Sequence, residues 1–99
     1  MRRAAKSDGN QPKIVRELRK ASYGVLDIHQ IGKGAPDLVV SNKKYTVLVE
    51  IKDIGGRYTK DELKFAAKWP CDIITAFSAR DVQAWFSQFS LLSRRDDEE

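Results

Sequence analysis

The strongest constraint in this chain is the run from Gly34 to Asp53. Two apolar segments rich in β-branched residues, Leu38-Val39-Val40 and Tyr45-Thr46-Val47-Leu48-Val49-Glu50-Ile51, flank the polar break Ser41-Asn42-Lys43-Lys44. Segments of this kind around a short polar break form a β-hairpin. With the turn centred between Lys43 and Lys44, cross-strand partners have residue numbers that sum to 87, and Asp37 faces Glu50. Like charges directly opposite in a sheet repel. For carboxylates ~5 Å apart at an effective dielectric of about 20, the cost is about 3 kcal/mol. A cation between them removes it. Side chains alternate along a strand, so Lys52 shares a face with Glu50 and supplies one positive charge. Paired carboxylate oxygens beside a loop are also what hydrated Mg²⁺ or Mn²⁺ accepts. The hairpin therefore points to a metal site made by Asp37 and Glu50, with a lysine next to it.

At these residues a family resemblance emerges. Pro36-Asp37, an apolar hairpin and Glu50-Ile51-Lys52 resemble the signature of the PD-(D/E)XK nucleases. More narrowly, several segments resemble the small stand-alone VRR-NUC proteins of phages and bacteria, over roughly residues 7–69. They are Asn10-Gln11 opening a helix, Leu18-Arg19, the run from Gly32 to Val40, Leu48-Val49-Glu50-Ile51-Lys52-Asp53, and downstream Thr59 and Trp69. Glu-x-Lys alone is common on solvated strands. What makes the pattern informative is Pro-Asp at hairpin distance on the same face.

The resemblance implies an α/β fold with the PD-(D/E)XK (restriction-endonuclease-like) core: a small mixed β-sheet flanked by helices, in the order αβββαβα. It implies an endonuclease that hydrolyses DNA phosphodiester bonds with Mg²⁺ or Mn²⁺. Asp37, Glu50 and the backbone carbonyl of Ile51 are then the metal ligands, and Lys52 assists hydrolysis. In the related archaeal junction resolvases a glutamate near the start of the first helix helps hold metal, and the Leu18-Arg19 pair aligns Gln11 with it. A glutamine offers a carbonyl oxygen but no charge, so Gln11 would orient a metal-bound water, or simply help cap the helix. Stand-alone relatives resemble Holliday junction resolvases. Two symmetric incisions need two sites, which implies a homodimer acting on branched DNA, four-way junctions first. A flap or replication-fork nuclease is the rival within this class. Outside it stands a non-catalytic basic DNA-binding module of the same fold.

Composition agrees with a single domain over residues 1–99, because 99 residues at 41% hydrophobic make one small core. A net charge of +4 and a pI near 9.3 suit a polyanionic partner. Cys71 and His29 are the only residues of their types. That excludes an internal disulfide and a Cys-rich zinc cluster, and it leaves a Cys-His or Ser-His-Asp hydrolase without the necessary partners. The basic N-terminus has no apolar signal core after it, and no apolar run approaches bilayer length. The expectation is an intracellular, cytoplasmic protein with no membrane partner, and by the resemblance a phage or bacterial one.

The rest of the chain fits around the hairpin. Residues 1–9 carry Arg2, Arg3 and Lys6 and read as a flexible basic arm, or as a merely disordered end. A helix from Asn10 or Gln11 to Ala21 places Ile14, Val15, Leu18 and Ala21 on one side and Lys13 among the solvated charges, a candidate DNA contact. Residues 23–30 suggest a strand in which Leu26 and Ile28 alternate with Asp27, His29 and Gln30, His29 being an ordinary strand histidine rather than a base. In Gly32-Lys33-Gly34 the glycines let backbone approach a phosphate while Lys33 adds charge, although a plain turn would use them too. Gly34 and Lys33 are thus candidate DNA contacts, as is Arg57 in the following loop. Thr59-x-x-Glu62 resembles a capping box, opening a helix with Leu63, Ala66 and Ala67 on its apolar side and Lys60, Lys64 and Lys68 toward a DNA backbone. Relatives often place a glutamine where Leu63 lies. Residues 72–77 read as a buried strand, and Ser78-x-x-Asp81 starts a last helix. Its stripe of Val82, Trp85, Phe86, Phe89 and Leu92 reads as core or as a dimer or protein contact. Residues 94–99 form a charged tail.

Overall fold

The structure is a computed structural model that describes residues 10–98, with side chains through residue 89. The elements are α1 (Gln11–Lys20), β1 (Gly24–Asp27), a 3₁₀ turn (His29–Ile31), β2 (Leu38–Ser41), β3 (Thr46–Ile51), α2 (Lys60–Lys68), β4 (Ile73–Ala76) and α3 (Ala79–Glu98). The strands form one mixed sheet in the order β1-β2-β3-β4, with the first three antiparallel and β4 parallel to β3. The protein is α/β with the expected αβββαβα order. The basic arm expected over 1–9 and the side chains of the tail expected over 94–99 lie outside the described residues.

The hairpin has the register that counting gives, Leu38 opposite Val49 and Ser41 opposite Thr46. Asn42 closes the turn: its Oδ1 accepts from the backbone N–H of Lys44 at 3.0 Å and of Tyr45 at 2.9 Å. Lys43 pays for the tight reversal with a φ of 93°, in the left-handed region that side chains disfavour.

Alternation along the strands divides the sheet into two faces. Leu38, Val40, Val47, Val49 and Ile51 are buried beneath α1 and α3, which contribute Ile14, Val15 and Leu18 from one helix and Ala79, Val82 and Phe86 from the other. Each large aliphatic side chain taken from water there is worth roughly 1.5–3 kcal/mol. Val39, Leu48, Glu50 and Ile73 belong to the opposite face, which α2 covers loosely: Leu63 is 57% exposed. α2 begins with a complete capping box, in which Thr59 Oγ1 accepts from Glu62 N–H at 3.1 Å and Glu62 Oε1 accepts from Thr59 N–H at 2.9 Å.

Two sequence expectations, for β1 and β4, change, and the core reading of the α3 stripe holds. The strand expected over 23–30 ends at Asp27, because the Asp27 carboxylate accepts the His29 N–H at 3.1 Å and turns the chain into the 3₁₀ segment. Its phase is also different: Asp27 pairs with Leu38 and Val25 with Val40, so Val25 packs against the core and Leu26 is 60% exposed. The strand expected to be buried over 72–77 is an edge strand in which Ala76 is buried, while Phe77 is 46% exposed. The α3 stripe is used internally. Phe86 is buried, Trp85 stands edge-on to Phe86 and Phe89, and Phe89 stacks on Tyr45 with ring centres 4.5 Å apart. The Leu92 side chain lies outside the described residues.

Candidate active site

Asp37 stands just ahead of β2, behind the buried Pro36, and three hydrogen bonds fix it there. Its N–H donates to the Val49 carbonyl at 3.0 Å, its own carbonyl accepts from Ile28 N–H at 2.8 Å, and its Oδ2 accepts from Ile51 N–H at 2.8 Å. The hairpin register, continued by one residue, sets Asp37 opposite Glu50. Glu50 is 4% exposed. Lys52, two residues on and on the same face, holds its Nζ 3.5 Å from Glu50 Oε2 and over the Tyr58 ring. The three residues expected to form the site come together on one side of the sheet.

A fourth joins them. Glu62, read from the sequence only as half of a capping box, accepts from Lys52 Nζ through the same Oε1 that accepts from Thr59 N–H, at 2.9 Å in each case. The box therefore fixes the helix start and also aims a carboxylate at the lysine. An acidic residue in the first helical turn after Glu-x-Lys was the available signal, but its local role accounted for it fully.

The charges in this group are unevenly shared. Burial, reinforced by the negative charges of Asp37 and Glu62 and by a hydrogen bond to Glu62, pushes the Glu50 carboxyl up to about 8, against the opposing pull of Lys52. For Glu62 burial acts upward too, but the hydrogen bonds it receives from Lys52, Thr59 N–H and Glu50 outweigh it and hold it below the usual carboxylate range. The two shifts have opposite directions, favouring the proton on Glu50 and the charge on Glu62. Lys52 is raised: burial works against the ammonium, and the hydrogen bond and charge of Glu62, with Glu50, overcome it.

A cavity of about 210 Å³ opens onto this group, lined by Gly34, Pro36, Glu50, Tyr58, Glu62, Leu63, Ala66 and Ile73. Gly34 brings its loop against the first turn of α2, where a Cβ would collide with the Asp61 carbonyl. With φ at +85° the position also disfavours any side chain. Glycine here serves the approach of loop to helix.

Among the described residues no three His, Cys, Asp or Glu side chains stand ready as a cation cage. The ammonium and the shared proton balance the carboxylates instead. With Glu50 deprotonated, however, Asp37, Glu50 and Glu62 against Lys52 leave two negative charges, which one divalent cation neutralises. The donors of Asp37 and Glu50 are hard oxygens, and the Ile51 peptide adjoins Asp37 through its N–H. The residues fit such an ion once Glu50 gives up its proton.

The remaining expected residues are placed as follows. Gln11, 2% exposed, donates from Nε2 to Asp27 Oδ2 at 3.1 Å. Asp27 Oδ1 lies 2.6 Å from His29 Nδ1. Burial raises the Asp27 carboxyl, but the hydrogen bonds and charge of His29, with the bond from Gln11, bring it below its ordinary value. Asn10 Nδ2 donates to the Phe77 carbonyl at 3.0 Å. The start of α1 is thereby tied to the end of the sheet that holds Asp37 and Lys52. His29 occupies the 3₁₀ turn and not a strand. Lys33 and Lys64 line one cleft with Asp61, Phe65 and Lys68, beside the site cavity that Gly34 lines. Lys60 and Arg57 are exposed on the segment that also carries the cavity-lining Tyr58 and Glu62, and Lys13 is exposed on α1, in the layer across the sheet. No protein-family model, curated protein or solved structure matches this chain.

Proposed function

We propose that this protein is a divalent-metal-dependent endonuclease that hydrolyses phosphodiester bonds in branched DNA, with the PD-(D/E)XK core that the hairpin motif suggests. The observation that carries the reading is the buried Glu50 beside Asp37, with the Lys52 ammonium 3.5 Å away on the same face. Asp37, Glu50 and the Ile51 carbonyl would hold Mg²⁺ or Mn²⁺. The bound ion supplies Lewis acidity toward the phosphate and a more acidic water.

The side chains divide the remaining work. Glu50 releases its proton to become a ligand. Lys52, kept as an ammonium by Glu62, stabilises negative charge that builds on the phosphate oxygens; it does not act as a neutral amine base. Gln11 bonds to Asp27 at the same end of the sheet, and the water-orienting role that the resemblance implies for it would be exerted from the α1 side. Lys33, Gly34, Arg57, Lys60 and Lys64 lie on the approach to the cavity as DNA contacts, and Lys13 contacts backbone from the α1 side.

The family resemblance favours a homodimer and four-way junctions. The cleft on α2, where lysines meet the stacked Phe65–Trp69 pair, favours the second reading, a flap or replication-fork nuclease. A non-catalytic DNA-binding module would not need Asp37, Glu50 and Lys52 gathered on one side of the sheet. Among the described residues no helix is long and apolar enough to cross a membrane. The test compares cleavage of a four-way junction, a flap and plain duplex with Mg²⁺, Mn²⁺ or chelator, alongside sedimentation. A dimer that cuts the junction supports the first reading and a preference for the flap the second. Salt-dependent binding without cutting leaves only the module.

A further inference from the structure

α2 borders a second concavity, beside the cavity that Glu62 lines. Lys33, Lys64 and Lys68 line a cleft of about 360 Å³ together with Asp61 and Phe65. Three ammonium groups against one carboxylate make it an anion-attracting concavity. Phe65 and Trp69, one helical turn apart, stack with ring centres 5.4 Å apart and planes 19° apart. Trp69 is 42% exposed. An i, i+4 aromatic pair often does no more than stiffen a helix end. Here it flanks three lysines on a helix whose residues all keep solvent access, so core packing does not require the rings.

We propose that this cleft binds unpaired, single-stranded DNA, with backbone phosphates on Lys33, Lys64 and Lys68 and a base stacked on the Phe65–Trp69 pair. Lysines alone would suit any polyanion. The aromatic pair discriminates, because a base has a free face to stack only where it is not already covered by neighbours in a duplex. The cleft also adjoins the site cavity: Lys33 and Asp61 line the one, and their chain neighbours Gly34 and Glu62 line the other. A strand seated on α2 therefore lies beside the cavity that Glu50 and Glu62 line. The choice of DNA rests on the nuclease reading, and the cleft gives that reading its substrate class, branched DNA with an unpaired arm.

The experiment is binding in the presence of EDTA, so that it does not depend on cutting. Fluorescence anisotropy would follow a labelled oligothymidine, a duplex of equal length and, as competitor, dextran sulfate. The proteins are wild type, Trp69→Ala, Trp69→Phe and the Lys64→Ala/Lys68→Ala pair, each checked by thermal melting. Wild type should prefer the oligothymidine to the duplex. Trp69→Ala should weaken it on the order of tenfold while Trp69→Phe retains most of the affinity. The lysine pair should reduce the salt slope by about 1.4, at about 0.7 per lost phosphate contact on a single strand. Equal binding of single strand and duplex, or a Trp69→Ala protein as tight as wild type, would overturn the assignment. Loss of metal-dependent cutting with this binding intact would remove the nuclease and leave the cleft.

Discussion

Lys52 donates to Glu62 at 2.9 Å, closer than the 3.5 Å that separates it from Glu50. The lysine of the hairpin is therefore positioned by a helix that follows it in sequence, and the residue that caps this helix also sets the charge of the site. Changes at Glu62 should consequently affect chemistry more than folding.

Glu62→Gln keeps a side chain able to complete the capping box but removes its charge. Single-turnover cleavage should fall about 100-fold, the scale of losing one preorganised electrostatic group. Stability should change by no more than about 1 kcal/mol, the scale of a cap. Glu62→Ala should lose the cap in addition. Wild-type turnover in Glu62→Gln would remove Glu62 from the site.

The pH dependence of stability follows from Glu50. Its folded value of about 8 lies above the ordinary 4.5, so folding favours the protonated form. That contribution is complete below 4.5 and is lost as pH rises toward about 8. Glu62 works in the other direction, its contribution present above 4.5 and lost as pH falls. Urea denaturation of the metal-free protein should show a decline between about pH 4.5 and 8 that Glu50→Gln lacks. If the proposed site is correct, saturating Mg²⁺ should offset it, since such an ion would take the deprotonated carboxylate. A Glu50→Gln protein with the same decline over that range would place its origin elsewhere.

The loop that meets α2 gives a prediction about folding. Gly34 and Gly55 both have positive φ, but a Cβ at Gly34 meets the Asp61 backbone whereas one at Gly55 meets open space. Gly55→Ala should cost only the backbone strain, about 1–2 kcal/mol. Gly34→Ala should cost more and should also reduce cleavage, because α2 must shift and carries Glu62 with it. Chemical denaturation of the two variants gives the order, and equal costs would mean that the loop yields freely.

Much of this site was legible in the sequence because a hairpin is a counting problem. A polar break and a period of two set Asp37 against Glu50 and put Lys52 beside it, and the ladder has that register. Glu62 was hidden for the opposite reason: Thr59 satisfies it locally, and its second partner depends on α2 folding over the sheet. β1 was misphased because a four-residue strand with polar neighbours offers too few alternations. Asp27 falls on the core-side row at the exposed end of the strand, where Gln11 and His29 bond its carboxylate. Leu63 looked like core, but α2 shields a cavity and leaves this side chain largely in water.

The hydrolytic reading is tested most directly by following a labelled four-way junction and a flap with wild type, Asp37→Ala and Lys52→Ala, in Mg²⁺, Mn²⁺ or EDTA, with Mn²⁺ binding measured by calorimetry. Wild type should cut only with the ion present, Lys52→Ala should bind Mn²⁺ normally and leave the DNA intact, and Asp37→Ala should lose both. Cutting in EDTA, or cutting by Lys52→Ala at the wild-type rate, would contradict the assignment.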